Sequence, residues 1–368
     1  MQNLRRSLAV TMTLAAAASA HAATFNTLHS FTGGADGAGP CMNLLPRGDL
    51  LYGTTAGGGL GKAGVVFSMS ITTGAVNVLH NFEGQDGLYP GAGLAPYNGL
   101  LYGTTGNGGV NDIGTVYSIK PRSGAQSVIY SFGGNSGNPD GTLVFDQAGN
   151  AYGSATGGAH GDGVIYKLNP STGAETILYN FTGSQDDAFP QPNLILHGNT
   201  IYGTTKGVGE TGYGTVFKLN LKTGAETVLH VFAAGADGAY PLGGMVEKSG
   251  TLYGTTLNGG TNNDGTIFTI NPQTGAEEVV YNFKGTEGAA PEGLTSHNGL
   301  FFGTASGGGN STNGVIYQID PATWTETTLY QFTGGSDGAW PLPGLVFRHN
   351  VAYGATAYGT GTVFSITP

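Results

Sequence analysis

Four segments place an aromatic residue three positions after an aspartate and directly before a proline: Asp86 to Tyr89, Asp186 to Phe189, Asp237 to Tyr240 and Asp337 to Trp340. Three of them read Asp-Gly-x-aromatic-Pro, and in the fourth Asp187 replaces the glycine. A ring beside a carboxylate suits a sugar. The ring stacks on the apolar C–H face and the carboxylate accepts hydroxyl hydrogen bonds. The same residues also have a purely structural reading, in which each ring packs on its proline to seal a gap and each aspartate caps a turn. Catalysis would need more. His160, Glu210 and Tyr213 sit in Gly-rich loops that vary along the chain, and a His–Tyr pair with a carboxylate can do general acid/base chemistry on a polysaccharide.

Other chemistries find little support. Gly334 to Gly338 matches Gly-x-Ser-x-Gly around Ser336, but no helix follows, as a nucleophile elbow requires. Gly57-Gly58-Gly59 precedes neither a helix nor a Lys-Ser/Thr pair, so it is no phosphate cradle. There is no His-x-His or His-x-x-x-His spacing for zinc and no Asp-x-Asp-x-Asp run for calcium, so neither a metal nor a cofactor is expected. His29, His80 and His230 share a column with Tyr130, Tyr179, Tyr281 and Tyr330, which points to an amphipathic packing role.

These residues are positioned by a repeat. Tyr-Gly-Thr-Thr, with small variations, recurs seven times, at Tyr52, Tyr102, Tyr152, Tyr202, Tyr253, Phe302 and Tyr353. A period of about fifty residues means one supersecondary unit copied around an array. Each copy reads as four short antiparallel strands. A weak strand a follows a proline, and Leu-Tyr-Gly-Thr-Thr is strand b. After a Gly-rich loop, Gly-Thr-Val-Phe-x-Ile is strand c. A Pro-x-Thr-Gly turn then leads to strand d, which ends in Phe31, Phe82, Phe132, Phe181, Phe232, Phe283 or Phe332. Apolar residues on both faces of b and c require neighbouring copies to cover them. The chain opens with a lone strand d, Phe25 to Phe31, and closes with strands a, b and c, so the two ends together complete one sheet. The expected fold is an all-β, seven-bladed β-propeller with four antiparallel strands per blade, the N-terminal strand completing the last blade. In it the b–c loops and d–a connections share one face.

The Leu-Tyr-Gly-Thr-Thr, Gly-Gly, Gly-Thr-Val-Phe and Phe-x-Gly-x-Asp-Gly segments resemble the Gloeobacter/Verrucomicrobia (GloVer) tandem-repeat family over essentially the whole chain after residue 22. The resemblance implies an exported bacterial β-propeller-like protein and supplies no catalytic residues. The tryptophan of kelch repeats and the aspartate box of sialidases are both missing.

Composition narrows the partners. Residues 1–22 read as a signal peptide, with Arg5-Arg6, an apolar stretch from Leu8 to Ala18 and an Ala20-His21-Ala22 cleavage site. A single propeller domain over 23–368 is then expected in the periplasm or outside the cell. Without Arg5 and Arg6, 11 Lys+Arg face 23 Asp+Glu, a net charge of −12. That balance excludes nucleic acid and disfavours polyanionic polysaccharides. No run is apolar enough to span a bilayer. One cysteine, Cys41, rules out an intrachain disulfide. A monomer is expected. The leading expectation is a module that binds a neutral or weakly charged glycan. The alternatives are a polysaccharide lyase or hydrolase at the channel mouth, and a protein-interaction scaffold.

Overall fold

The computed structural model describes residues 23–368 apart from 135, 140, 208, 210 and 211. Residues 1–22, expected to be a signal peptide, lie outside the described residues. Seven antiparallel sheets follow one another, each running a-b-c-d from the inside outwards. The first blade takes strands Leu45–Arg47, Leu50–Gly57, Val65–Ser70 and Val76–Asn81, and gains a short extra strand, Ala38–Pro40, against Leu50–Gly57. The seventh takes Val346–Arg348, Val351–Thr356 and Thr362–Thr367 from the C-terminus and Thr24–Ser30 from the N-terminus. Phe25 pairs with Ile366 and Ser30 with Thr362, so the two chain ends are zipped into one sheet. No helix among the described residues is long and apolar enough to cross a membrane.

Aromatic contacts join the blades. The phenylalanine that ends each strand d meets, edge to face, the strand-c aromatic of the next blade. Phe82 lies 5.1 Å from Tyr117, Phe181 5.2 Å from Phe217 and Phe283 5.0 Å from Tyr317. The circle closes through Phe332 and Phe364 at 5.5 Å and through Phe31 and Phe67 at 5.3 Å. All of these rings are buried. Each such pair adds about 0.5–1.5 kcal/mol beyond its area burial.

The recurring Tyr-Gly-Thr-Thr is explained by this packing. A Cβ on Gly203 would stand 2.6 Å from the Phe217 ring, so only glycine lets the strand-c aromatic cross strand b. The first threonine reaches the next blade: Thr54 Oγ1 donates to Ala92 O at 2.9 Å and Thr204 Oγ1 to Pro241 O at 2.7 Å. Thr255 Oγ1 is buried without a partner. The segment it would reach, Pro291 to Leu294, is one residue shorter than Pro241 to Met245. The second threonine ties b to c, as where Thr105 Oγ1 accepts the Thr115 amide at 3.1 Å.

Every outer strand carries a bulge, for example between Thr27 and His29 and between Val128 and Tyr130. A bulge re-aims the following side chain, and here that side chain belongs to the His/Tyr column.

Truncating a ring of the circle should be costly. Phe181→Ala is expected to lower unfolding free energy by about 3–5 kcal/mol in denaturant titration, whereas Tyr89→Ala, outside the circle, should lower it by none.

Candidate functional site

The b–c loops and d–a connections meet on one face, called the upper face below. Each d–a connection is stitched between two b–c loops. Tyr89 N donates to Ala63 O at 2.9 Å in the preceding blade, and Leu88 N to Asn107 O at 2.8 Å in the following one. The residue before the proline is left-handed at all seven junctions: Gly39 (φ 62), Tyr89 (58), Asn138 (52), Phe189 (57), Tyr240 (61), Ala290 (54) and Trp340 (54). Its amide always bonds the preceding b–c loop. The backbone is therefore the same whether or not a ring is present.

The ring is not what seals the gap between blades. The proline does that, packing on the glycine that opens the preceding strand c. A Cβ on Gly64 would lie 2.6 Å from Pro90 Cδ, and one on Gly314 2.5 Å from Pro341 Cδ. The rings are left to solvent to different degrees. Tyr89 and Trp340 are each 50 % exposed, while Phe189 and Tyr240 are partly covered. Trp340 stands 5.2 Å from Tyr358, edge to face, and Tyr240 stands 6.1 Å from Tyr213. Leu60, Tyr89, Val110, Tyr213, Trp340 and Tyr358, six of the eight large apolar residues exposed among the described residues, lie in these upper-face loops; Val128 and Val231 lie on outer strands.

The aspartates of the same motif are engaged elsewhere. Asp86 accepts from His80 Nε2 at 2.6 Å, Asp237 from His230 Nε2 at 3.0 Å, and Asp186 and Asp337 from the Tyr179 and Tyr330 hydroxyls at 2.9 and 3.0 Å. Each also caps its own turn. Asp337 accepts the Thr333 amide and hydroxyl at 2.7 and 2.6 Å, and Asp186 accepts the same pair from Thr182. Asp36 with His29 and Glu287 with Tyr281 repeat the clasp. The histidines of the column pack on the strand-end phenylalanines, as in His80–Phe82 at 4.9 Å, and hold a carboxylate as well. That clasp escaped the sequence reading, although its signal was present: His and Tyr are the two aromatics that put a donor at the ring tip. Asp187, which breaks the Asp-Gly pattern, is buried and accepts the Gly209 and Gly214 amides at 2.6 and 3.1 Å. It braces the blade-4 b–c loop.

His160 and Tyr213 are both exposed in upper-face loops, and Glu210 lies outside the described residues. His160 has no hydrogen-bond or ring partner among the described residues, and Tyr213 faces Tyr240. At the centre of the ring Asn43 Nδ2 donates to Asn193 Oδ1 at 2.9 Å, from blade 1 to blade 4. A cavity of about 240 Å³ adjoins this pair. Glu292, in the shortened segment, is largely buried, and that burial raises its pKa despite a hydrogen bond with Ser306.

A second set of carboxylates lines the blade boundaries at the rim. Glu175, Glu226, Glu277 and Glu326 occupy one column near the start of strand d. One oxygen of Glu175, Glu226 and Glu277 is buried without a partner. Burial pushes Glu226 up to about 7, with Asp186 adding its negative charge. Burial does the same to Glu277, about 7, helped by Asp237 and Glu278. Glu326 reaches about 7, chiefly by burial, with the Thr328 hydrogen bond opposing. His230, Asp237 and Glu277 bring their ligand atoms within 4.8 Å of one another. This is the one group of metal-ligand type among the described residues, found where no metal was expected.

A family model, the Gloeobacter/Verrucomicrobia repeat, matches residues 13–156 and 134–301. No curated protein sequence matches the chain. Among solved structures, the fold is similar to an oligogalacturonate lyase from Vibrio parahaemolyticus (TM-score 0.63, 11% identity, 94% of this chain and 97% of that one). It is similar to an oligogalacturonate lyase in complex with manganese (TM-score 0.62, 12% identity, 94% and 96%). It also resembles the extracellular domain of a putative hybrid two component system from B. thetaiotaomicron (TM-score 0.61, 13% identity, 94% of this chain and 42% of that one).

The rim carboxyls predict a pH dependence. A carboxyl whose folded pKa is raised stabilises the fold while protonated. That contribution is full below the unfolded value of 4.5 and is lost as pH rises through about 7. Asp36 and Asp337 act oppositely. Burial pushes them up, but their hydrogen bonds with Thr32 and His29, or with Thr333 and Tyr330, more than offset it. Their contribution is lost as pH falls below the ordinary 3.8. Thermal melts should peak at roughly pH 4–5 and decline toward pH 8. Glu226→Gln, Glu277→Gln and Glu326→Gln together should flatten the decline above the peak.

Proposed function

The chain belongs to the Gloeobacter/Verrucomicrobia repeat family, and from that footing we propose that it is an exported propeller that binds a neutral or weakly charged glycan on its upper face. The observation that carries this reading is the backbone under the rings. A non-glycine residue in the left-handed region costs on the order of 1–3 kcal/mol, and the fold accepts a small residue at the same place, as at Gly39, Asn138 and Ala290. Four junctions nonetheless hold a bulky aromatic there. Strain retained at an exposed ring, with no sealing role to explain it, supports a ligand that stacks on the ring. Trp340 with Tyr358, Tyr89, and Tyr240 with Tyr213 give three separate apolar platforms around the face. A long or repeating glycan suits such spacing better than a single buried sugar. The sugar's hydroxyls would bond to the loops and to water, since the motif aspartates are held by the clasps.

The likeness to two oligogalacturonate lyases, at 11% and 12% identity, favours a second reading as a polysaccharide lyase. Incubation with polygalacturonate separates the two. A lyase releases unsaturated, ultraviolet-absorbing ends, and a module for neutral glycans leaves the polymer unchanged.

Glycan-array binding should be lost in the Trp340→Ala/Tyr89→Ala double variant, and unchanged binding would remove the proposal. Trp340→Gly should raise unfolding stability by about 1 kcal/mol through relief of the left-handed strain while weakening binding. A ring kept for stability would instead make the same variant less stable.

A further inference from the structure

The opposite face, which carries the a–b and c–d turns, has a different character at one place. All three arginines of the described chain are there, Arg47 in blade 1, Arg122 in blade 2 and Arg348 in blade 7. Lys120 joins them at the end of the blade-2 strand c. Arg348 is paired with Asp49 at 2.7 Å. Asp49 is the single carboxylate in the turns of blades 1 and 2 on this face, so that pairing leaves Arg47, Lys120 and Arg122 with no ion pair or side-chain hydrogen bond among the described residues. The three converge on a cleft of about 520 Å³ between the two blades. Its walls also bear the Tyr52 and Ser123 hydroxyls, and no carboxylate lines it.

Lys120 also breaks a local rule. At the same place in the repeat, Ser70, Asn169, Asn220, Asn271 and Asp320 use their side-chain oxygen to cap the c–d turn. Ser70 Oγ accepts the Thr72 amide at 3.3 Å, Asn169 Oδ1 the Ser171 amide at 2.9 Å, Asn220 Oδ1 the Lys222 amide at 2.9 Å, Asn271 Oδ1 the Gln273 amide at 2.9 Å and Asp320 Oδ1 the Ala322 amide at 2.9 Å. A lysine has no acceptor and cannot do this. Blade 2 has given up a turn cap and put a cation in its place, with no carboxylate to receive it. A residue that departs from a local structural rule without a structural gain marks a functional position.

We propose that the cleft between blades 1 and 2 binds an oxyanion, a carboxylate, sulfate or phosphate group, through Arg47, Lys120 and Arg122. Arginine presents a planar fork of donors that matches two oxygens of such a group, and lysine adds a point charge. The Tyr52 and Ser123 hydroxyls supply neutral donors at the wall. In a strongly acidic protein this is a local reversal of sign, which concentrates an anion at one place and repels it elsewhere. The site is independent of the glycan reading, because it lies on the other face and uses none of the rings.

The test is isothermal titration at low ionic strength with inorganic phosphate, sulfate and galacturonate as separate arms, and with chloride as control. Saturable binding of at least one oxyanion is expected, with the arms ranking carboxylate against sulfate and phosphate. Lys120→Asn with Arg122→Ser installs the residues that blade 3 has at these positions, Asn169 and Ser171. It should weaken binding at least tenfold while leaving the ligand-free melting temperature equal or higher, because the turn regains its cap. Arg47→Ala should weaken binding at least fivefold. Equal, non-saturating responses to all anions including chloride would overturn the proposal, as would binding unchanged in both variants.

Discussion

One contact, repeated seven times, holds the molecule in a ring: the phenylalanine at the end of an outer strand set edge-on against the strand-c aromatic of the next blade. Each blade buries apolar residues on both faces of its middle strands, so no blade is stable by itself and the circle must close. The last two contacts are made by the chain ends, through Phe332 with Phe364 and Phe31 with Phe67. Most of the repeat's invariance follows from that geometry. Glycine in strand b clears space for the strand-c ring. The first threonine bonds the neighbouring blade, and proline packs on the neighbour's strand-c glycine. Thr255 shows the dependence from the other side: where the following segment loses one residue, the threonine hydroxyl is left buried and unpaired.

Because the frame consumes so many polar groups, what it leaves over is informative. The Asp-x-x-aromatic-Pro motif divides into two unrelated parts. Its carboxylate faces the outer strand, clasped by a His or Tyr and by turn amides. Its ring stands on the upper face, in a backbone conformation that favours glycine. Only the second part is free to meet a ligand. The lower face follows the same logic, with three cations left over once Arg348 has taken Asp49. The rim glutamates are a different kind of remainder. Burial holds all four toward the neutral form, and a neighbouring carboxylate adds to it at Glu226, Glu277 and Glu326, which ties cohesion along blades 3 to 6 to pH.

The fold was legible because its signal is redundant. Seven copies of the same strand pattern, and a leading outer strand matched by three trailing ones, leave little choice of architecture. The site was legible only in part. The aromatic positions could be found by aligning the copies, but their exposure could not, since the same ring could have packed on its own proline. The exchange of His with Tyr in one column is visible in the sequence and points to packing. Its second meaning needed the bulge, which turns those side chains toward the d–a loop. Asp187 looked like a lapse from the motif until its carboxylate was placed on two loop amides. Lys120 carries no signal in the sequence, because a lysine in a turn is ordinary; only the caps at five equivalent positions set it apart.

The order of residues along the chain by itself determined the seven four-stranded blades, the ring closure and the acidic, arginine-poor character, because these depend on local pattern and on composition. Only the tertiary structure decided which members of each motif are spent on the frame and which are free. That division is set by contacts between blades about fifty residues apart, and such contacts exist only once the circle has closed.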